Sequence, residues 1–285
     1  MSDASTGFWS RFGPLDRWTL GYGVVASIAL ATRWSLPLPH PELLVAGHVL
    51  LFVIVFLASA LRRRRPGAFL AEFYPVIIVT GLYTEVGILN GTRGISHDLL
   101  VQSWDQALFG RQPSLDWIRS HPWPPMSAVL HLAYMSYYVI VVGTPLGLWL
   151  SGRRDAALEA LLRIMATFYV CYTIFLLFPV AGPRYLFPMA ENAATAVAPA
   201  QWVHSILKSG SAWGTAFPSS HVAVSLVAAL SALLAWPALG VPLLVLTVLL
   251  AMGTVYGQFH YGIDAIAGAV VGIAMLVVRR RKQSD

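Results

Sequence analysis

Three short stretches hold residue types suited to chemistry at a charged centre. In FHYGIDAIAG, His260 and Asp264 stand four apart, one turn from each other on a single helix face. A carboxylate so placed accepts a hydrogen bond from one imidazole nitrogen. That fixes the tautomer and frees the other nitrogen's lone pair for attack. The same pair also reads as a polar cap opening an apolar helix. In AFPSSHVAVSL, Pro218 suits a helix first turn, while Ser219 and Ser220 leave early backbone amides free for an anion. His221 sits in that turn, placed to donate a proton; an ordinary N-cap beside a histidine would look the same. In FPVAGPRYLFP, Arg184 follows an apolar run. A guanidinium forks onto two phosphate oxygens, although arginines at this depth also simply touch lipid headgroups.

The elements that must position these residues are set by composition. The chain has 285 residues, 57% hydrophobic and 11% charged, where an ordinary soluble domain is about a quarter charged. Hydrocarbon, which penalises ionised groups, accounts for the deficit. Eight apolar runs approach the roughly 20 residues a spanning helix needs: 18–36, 42–61, 69–89, 126–150, 161–180, 218–236, 239–257 and 261–278. The expected fold is an all-α polytopic transmembrane bundle of six to eight spans, a single integral membrane domain over 1–285. Within it, 1–125 supplies N-terminal spans and an amphipathic outer loop, and 126–285 a catalytic helical core. The N-terminus lacks the pattern of a cleaved signal peptide, so the first run is expected to stay as an anchor. The one cysteine, Cys171, lies inside an apolar run and is expected to be a small packed residue.

The net charge of +6 would raise nucleic acid as a partner in a soluble protein. Here the bases stand in short clusters beside apolar runs, RRRR at 62–65 and RRRK at 279–282, as topology signals do. With the N-terminus inside, the inner segments hold thirteen of the nineteen Lys and Arg residues. Both termini are therefore expected in the cytoplasm, with the active site on the extracytoplasmic face of a plasma or inner membrane. Two outer segments, 90–125 and 181–216, are too long for simple turns. Trp104, Phe109, Trp117 and Trp123 are expected to anchor the first of them at headgroup level.

This topology brings the three stretches to one side. The short hairpin between His221 and His260 returns the second histidine to the level of the first, and Arg184 enters from the preceding loop. Two imidazoles, a carboxylate, a helix N-terminus and an arginine suit in-line displacement at phosphorus. No Gly-rich nucleotide loop and no zinc-ligand spacing occurs. The expectation is therefore metal-free chemistry with no cofactor.

Pro218-Ser219-Ser220-His221 resembles the Pro-Ser-x-His motif of the type 2 phosphatidic acid phosphatase superfamily, and His260 with Asp264 resembles its His-x-x-x-Asp. Gly182-Pro183-Arg184 sits where the family's first motif keeps its arginine. Tyr83 and the stretch DQALFGRQP at 105–113 are similar to the branch containing inositol phosphorylceramide synthases. The resemblance implies a helical bundle and a phosphohistidine route. His260 would be the nucleophile and Asp264 its orienter. His221 would protonate the leaving alkoxide and then activate the acceptor, while Arg184, Ser219 and Ser220 hold phosphate oxygens. Two cations of the family pattern are replaced: Leu177 stands for the first-motif lysine, and Thr254, after Gly253, for the third-motif arginine. Tyr185 also stands for a usual proline. Arg93 is the leading substitute cation, with His97, Arg111 and Lys208 behind it.

The substrate implied is a membrane lipid phosphate, and the acceptor is either water, for a phosphatase, or a lipid alcohol, for a headgroup transferase. A lipid transporter or flippase is the alternative. It would want ionisable residues near mid-bilayer, where His48 is the clearest candidate and otherwise reads as a packed polar residue. A serine protease built on Ser219 or Ser220 would leave Asp264 and Arg184 without roles.

Overall fold

The structure, a computed structural model, describes residues 8–64 and 68–279. Arg65 of the first basic cluster, Arg280 to Lys282 of the second and the first seven residues lie outside the described residues. The described chain is helical. Four helices are long and apolar enough to cross a membrane: α2 (Pro41–Arg64), α3 (Phe69–Arg93), α8 (Arg154–Leu177) and α12 (Pro237–Tyr256). A fifth span results if α6 (Pro124–Met135) and α7 (Tyr137–Leu150), bent by 43° at Ser136, are one crossing. α1 (Pro14–Thr32) fails on composition, and α11 (Ser220–Ala235) and α13 (Gly262–Ala274) are apolar but short. Length and composition thus support four to five spans, fewer than the six to eight expected from the apolar runs.

Proline marks several helix starts, where its missing N–H costs nothing: Pro14, Pro113, Pro124 and Pro237 all stand in first turns. At the break between α6 and α7, the Ser136 hydroxyl donates to the Ala133 carbonyl at 2.6 Å. Such bonding back to the helix competes with the regular ladder and bends it. α8 is the most enclosed of the long helices, while α2 is peripheral. The main core joins side chains of α1, α3, α7, α8, α11 and α12. Cys171 is buried in it with a free thiol. α13 approaches α11 through two glycines: a Cβ on Gly268 would fall 2.4 Å from the Ser219 carbonyl oxygen, and one on Gly272 2.6 Å from that of Ala223. Small residues four apart permit this closeness, and it draws the start of α13 onto the start of α11.

The long segments are structured. The first folds into α4 (Asp98–Phe109) and α5 (Pro113–Ser120), and the second carries α9 (Pro183–Leu186) and α10 (Ala198–Gly210). Of the expected aromatic anchors, Trp123 and Phe109 are exposed. The other two pack inward: Trp104 lies against Phe178 and Phe217, with centroids 6.0 and 5.5 Å apart, and Trp117 meets Tyr256 edge-on at 5.3 Å. They face the loops that carry the site because α4 and α5 lie across those loops.

Candidate active site

His260 lies in the short connection between α12 and α13. Its Nδ1 is 2.9 Å from the Ala216 carbonyl and 3.3 Å from Asp264 Oδ2. A carbonyl and a carboxylate only accept, so Nδ1 carries the proton and Nε2 keeps its lone pair. The expected orienter is thus shared. The nearer acceptor is the backbone of Ala216, and the Asp264 carboxylate takes its shorter bond, 2.8 Å, from the Tyr261 amide. Burial pushes the His260 imidazole down from 6.5 to about 4; the Ala216 bond opposes that shift, and the Arg184 charge adds to it. At neutral pH His260 is therefore an uncharged base.

His221, in the first turn of α11, faces it with ring centroids 5.8 Å apart. The rings are near enough for one phosphoryl group to touch both. His221 Nε2 is 3.2 Å from the Tyr134 hydroxyl, and its ring stacks on Tyr134 and packs on Tyr137. The bend at Ser136 is what lets tyrosines on two helices cover one imidazole.

Arg184 points a guanidinium into the same space. Its Nη2 donates to the Leu207 carbonyl at 3.1 Å, and its buried Nη1 has no partner. Together His221, His260 and Arg184 line a small, half-open pocket of about 30 Å³, with Tyr83, Tyr134 and Tyr185 among its walls. The uncommitted Nη1, with two N–H donors, stands beside the uncharged His260 imidazole and suits the oxygens of an anionic ligand.

The serines are placed differently from the expectation. α11 begins at Ser220, two residues after Pro218, and Ser219 is its cap, accepting from the Val222 amide at 3.4 Å. The Ser219 amide is itself taken by the Asp264 carbonyl at 2.9 Å. Both serines are buried, and neither is among the residues lining the cavity. Arg93 is exposed at the end of α3 and does not line it either; nor do Arg111, Lys208 or His97. His97 instead stacks on Phe178 at 4.2 Å and bonds the Pro179 carbonyl. Arg184 is the one cation lining this cavity among the described residues.

Two further carboxylates, Asp98 and Asp105, hold the surrounding loops. Asp98 is buried and accepts from the amides of Ala181 and Gly182, both at 2.8 Å, from the Tyr261 hydroxyl at 2.9 Å and from Ser96. Asp105 accepts from the first amides of α13, Gly262 at 3.0 Å and Ile263 at 2.7 Å. Its spacing of seven from Asp98 on an otherwise apolar amphipathic helix was the available signal. The loop before Arg184 is then joined to the loop before α11 by the Ala216 amide on the Val180 carbonyl at 2.9 Å. A continuous line of bonds runs from Asp98 through this bridge to Ala216 and His260. Gly182, at φ 93°, occupies a backbone region closed to most side chains.

The model of the PAP2 superfamily matches residues 100–278, which contain both histidines, Arg184, Asp264 and Asp105. A PA-phosphatase related-family protein of Dictyostelium discoideum is 26% identical over 172 residues, covering 52% of this chain. The chain spans about a third of that relative's length, 31%. No solved structure matches. With the family model covering well over half of the sequence, and the paired histidines inside it, the chain belongs to the PAP2 superfamily as a multi-pass membrane protein.

Proposed function

We propose that this protein transfers phosphoryl groups from membrane lipid phosphates through a phosphohistidine on His260, without a metal ion. The observation that carries the reading is the Nδ1 proton of His260 held between two acceptors, which aims a bare Nε2 into a cavity shared with His221 and Arg184. Nε2 attacks phosphorus while Arg184 Nη1 takes an equatorial oxygen, and the bond to the leaving alkoxide breaks as His221, entering the step as an imidazolium, delivers its proton to it and is left neutral. Neutral His221 then removes the proton of the acceptor, which displaces His260 from phosphorus and regenerates the His260 imidazole and the His221 imidazolium.

One lining cation suits a phosphodiester, which bears a single charge, better than a dianionic monoester. This favours transfer of a phospho-headgroup to a lipid alcohol, as the likeness of Tyr83 and the 105–113 stretch to the inositol phosphorylceramide synthase branch suggests. Tyr83 lines the cavity, and its hydroxyl is 3.1 Å from that of Thr215. His48, the feature that would favour a transporter, is bonded to Glu85 at 2.6 Å and to Ser27 at 3.1 Å, and so is satisfied within the bundle. We further assign α1, α11 and α13 as crossing helices. That makes eight spans, with both termini cytoplasmic and the histidines on the extracytoplasmic side.

Purified protein in detergent with EDTA, offered a panel of lipid monophosphates and, separately, labelled phosphodiester donors with lipid alcohols, tests the reading. Turnover of either class that is lost in His260→Ala is expected. Turnover only with added divalent metal would overturn the metal-free route. Phosphate release confined to monoesters would overturn the transferase preference.

A further inference from the structure

A second cavity lies between the N-terminal half of α1 and the C-terminal half of α8. It is an open cleft of about 460 Å³. Its walls come from Gly21, Tyr22 and Val25 on α1 and from Tyr169, Val170 and Ile174 on α8. Two of the hydroxyls along it are engaged elsewhere. The Thr173 hydroxyl bonds back to the Tyr169 carbonyl at 2.7 Å, and the Tyr169 hydroxyl meets Thr19 at 3.0 Å. Gly21 keeps the cleft open, since a Cβ there would meet nothing within 4 Å. From Arg17 to Val25 the cleft follows α1 for about 12 Å.

Arg17 closes one end. Its Nε donates to the Phe12 carbonyl and its Nη2 to that of Trp9, each at 3.0 Å, so the guanidinium is held in place. No carboxylate pairs with it among the described residues; the adjacent Asp16 is spent on Arg62 at 2.6 Å and on Tyr74 at 3.0 Å. Arg62 also meets Glu72 at 3.1 Å, which fastens the start of α1 to the end of α2 and the start of α3. That network puts Arg17 level with the ends of two spanning helices, at headgroup depth, with Trp18 half-buried beside it.

We propose that this cleft holds one anionic phospholipid of the leaflet opposite the active site, its phosphate on Arg17 and one acyl chain laid over Gly21 between Val25 and Ile174. A fixed cation with no carboxylate partner among the described residues, at the mouth of an apolar trough, matches an anionic amphiphile at both ends. A zwitterionic lipid would bring its own cation against Arg17.

Native mass spectrometry of the detergent-purified full chain, titrated with phosphatidylglycerol or with phosphatidylcholine of the same acyl chains, tests this. Wild type is expected to retain one phosphatidylglycerol in preference to phosphatidylcholine. Arg17→Gln is expected to lower that preference by about fivefold, the worth of one interfacial cation. Gly21→Leu, which fills the trough and suits a helix, is expected to reduce retention of both lipids while leaving Arg17 intact. Equal retention of the two lipids by wild type, or retention unchanged in Gly21→Leu, would overturn the proposal. None of these readouts depends on turnover, so they stand or fall apart from the catalytic reading.

Discussion

At the scale of single residues, the site turns on one proton. Ala216 and Asp264 both accept from His260 Nδ1, so the tautomer survives the loss of either. Asp264→Asn is therefore expected to slow turnover roughly 10- to 100-fold, as loss of a supporting partner does, rather than abolish it. Steady-state kinetics beside His260→Ala would check this. Burial also sets the pH behaviour. His260 is pushed down to about 4, so phosphoenzyme formation should persist at pH 5, below the ordinary imidazole value, and fail as pH approaches 4. The linkage has a definite sign: a histidine depressed in the fold binds protons more readily when unfolded. Stability is full above about 6.5 and declines as pH falls toward 4. Rapid-quench labelling and thermal melts across that window would show both. His260, Asp264, His221 and Arg184 were legible in the sequence because their spacing and flanking apolar runs fixed their level. The Ala216 carbonyl was not, since a backbone acceptor leaves no mark on residue type.

At the scale of elements, the outer helices hold the site together. α4 turns two carboxylates inward while Leu99 and Leu108 are exposed. Asp98 thereby ties the Arg184 loop to Tyr261, and Asp105 caps α13. Asp98→Asn keeps the size but replaces an acceptor with a donor facing backbone amides. It should cost about 1–3 kcal/mol of stability and lower turnover by loosening Arg184 against His260. Denaturation in detergent with parallel assays would reveal it, and wild-type values in both would remove the tether. Helix positions followed the apolar runs closely, but ends slipped wherever caps decide them. α11 starts at Ser220 rather than Pro218 because the Ser219 side chain and amide are both engaged as a cap. The inward turn of Trp104 was hidden too, because an aromatic in an amphipathic stretch reads equally as a lipid anchor or as packing.

At the scale of the molecule, one end of the bundle carries the candidate site and the other carries fixed charge, with Asp16, Arg62 and Glu72 joining three helices there. The all-helical membrane architecture could be read from the shortage of charge. The eight apolar runs outnumber the four to five spans that length and composition support, because α1, α11 and α13 fall short of that test. In a Cys171→Ala background, a membrane-impermeant maleimide applied to intact cells should label Ser103→Cys on α4 and spare Ser151→Cys beyond α7; the reverse pattern would invert the assigned orientation. The covalent step is tested most directly by trapping it. Protein incubated with a radiolabelled lipid phosphate donor in EDTA and quenched in alkali should carry label on His260, stable to base and lost in acid, and His260→Ala should carry none. Label or turnover undiminished in His260→Ala would contradict the account.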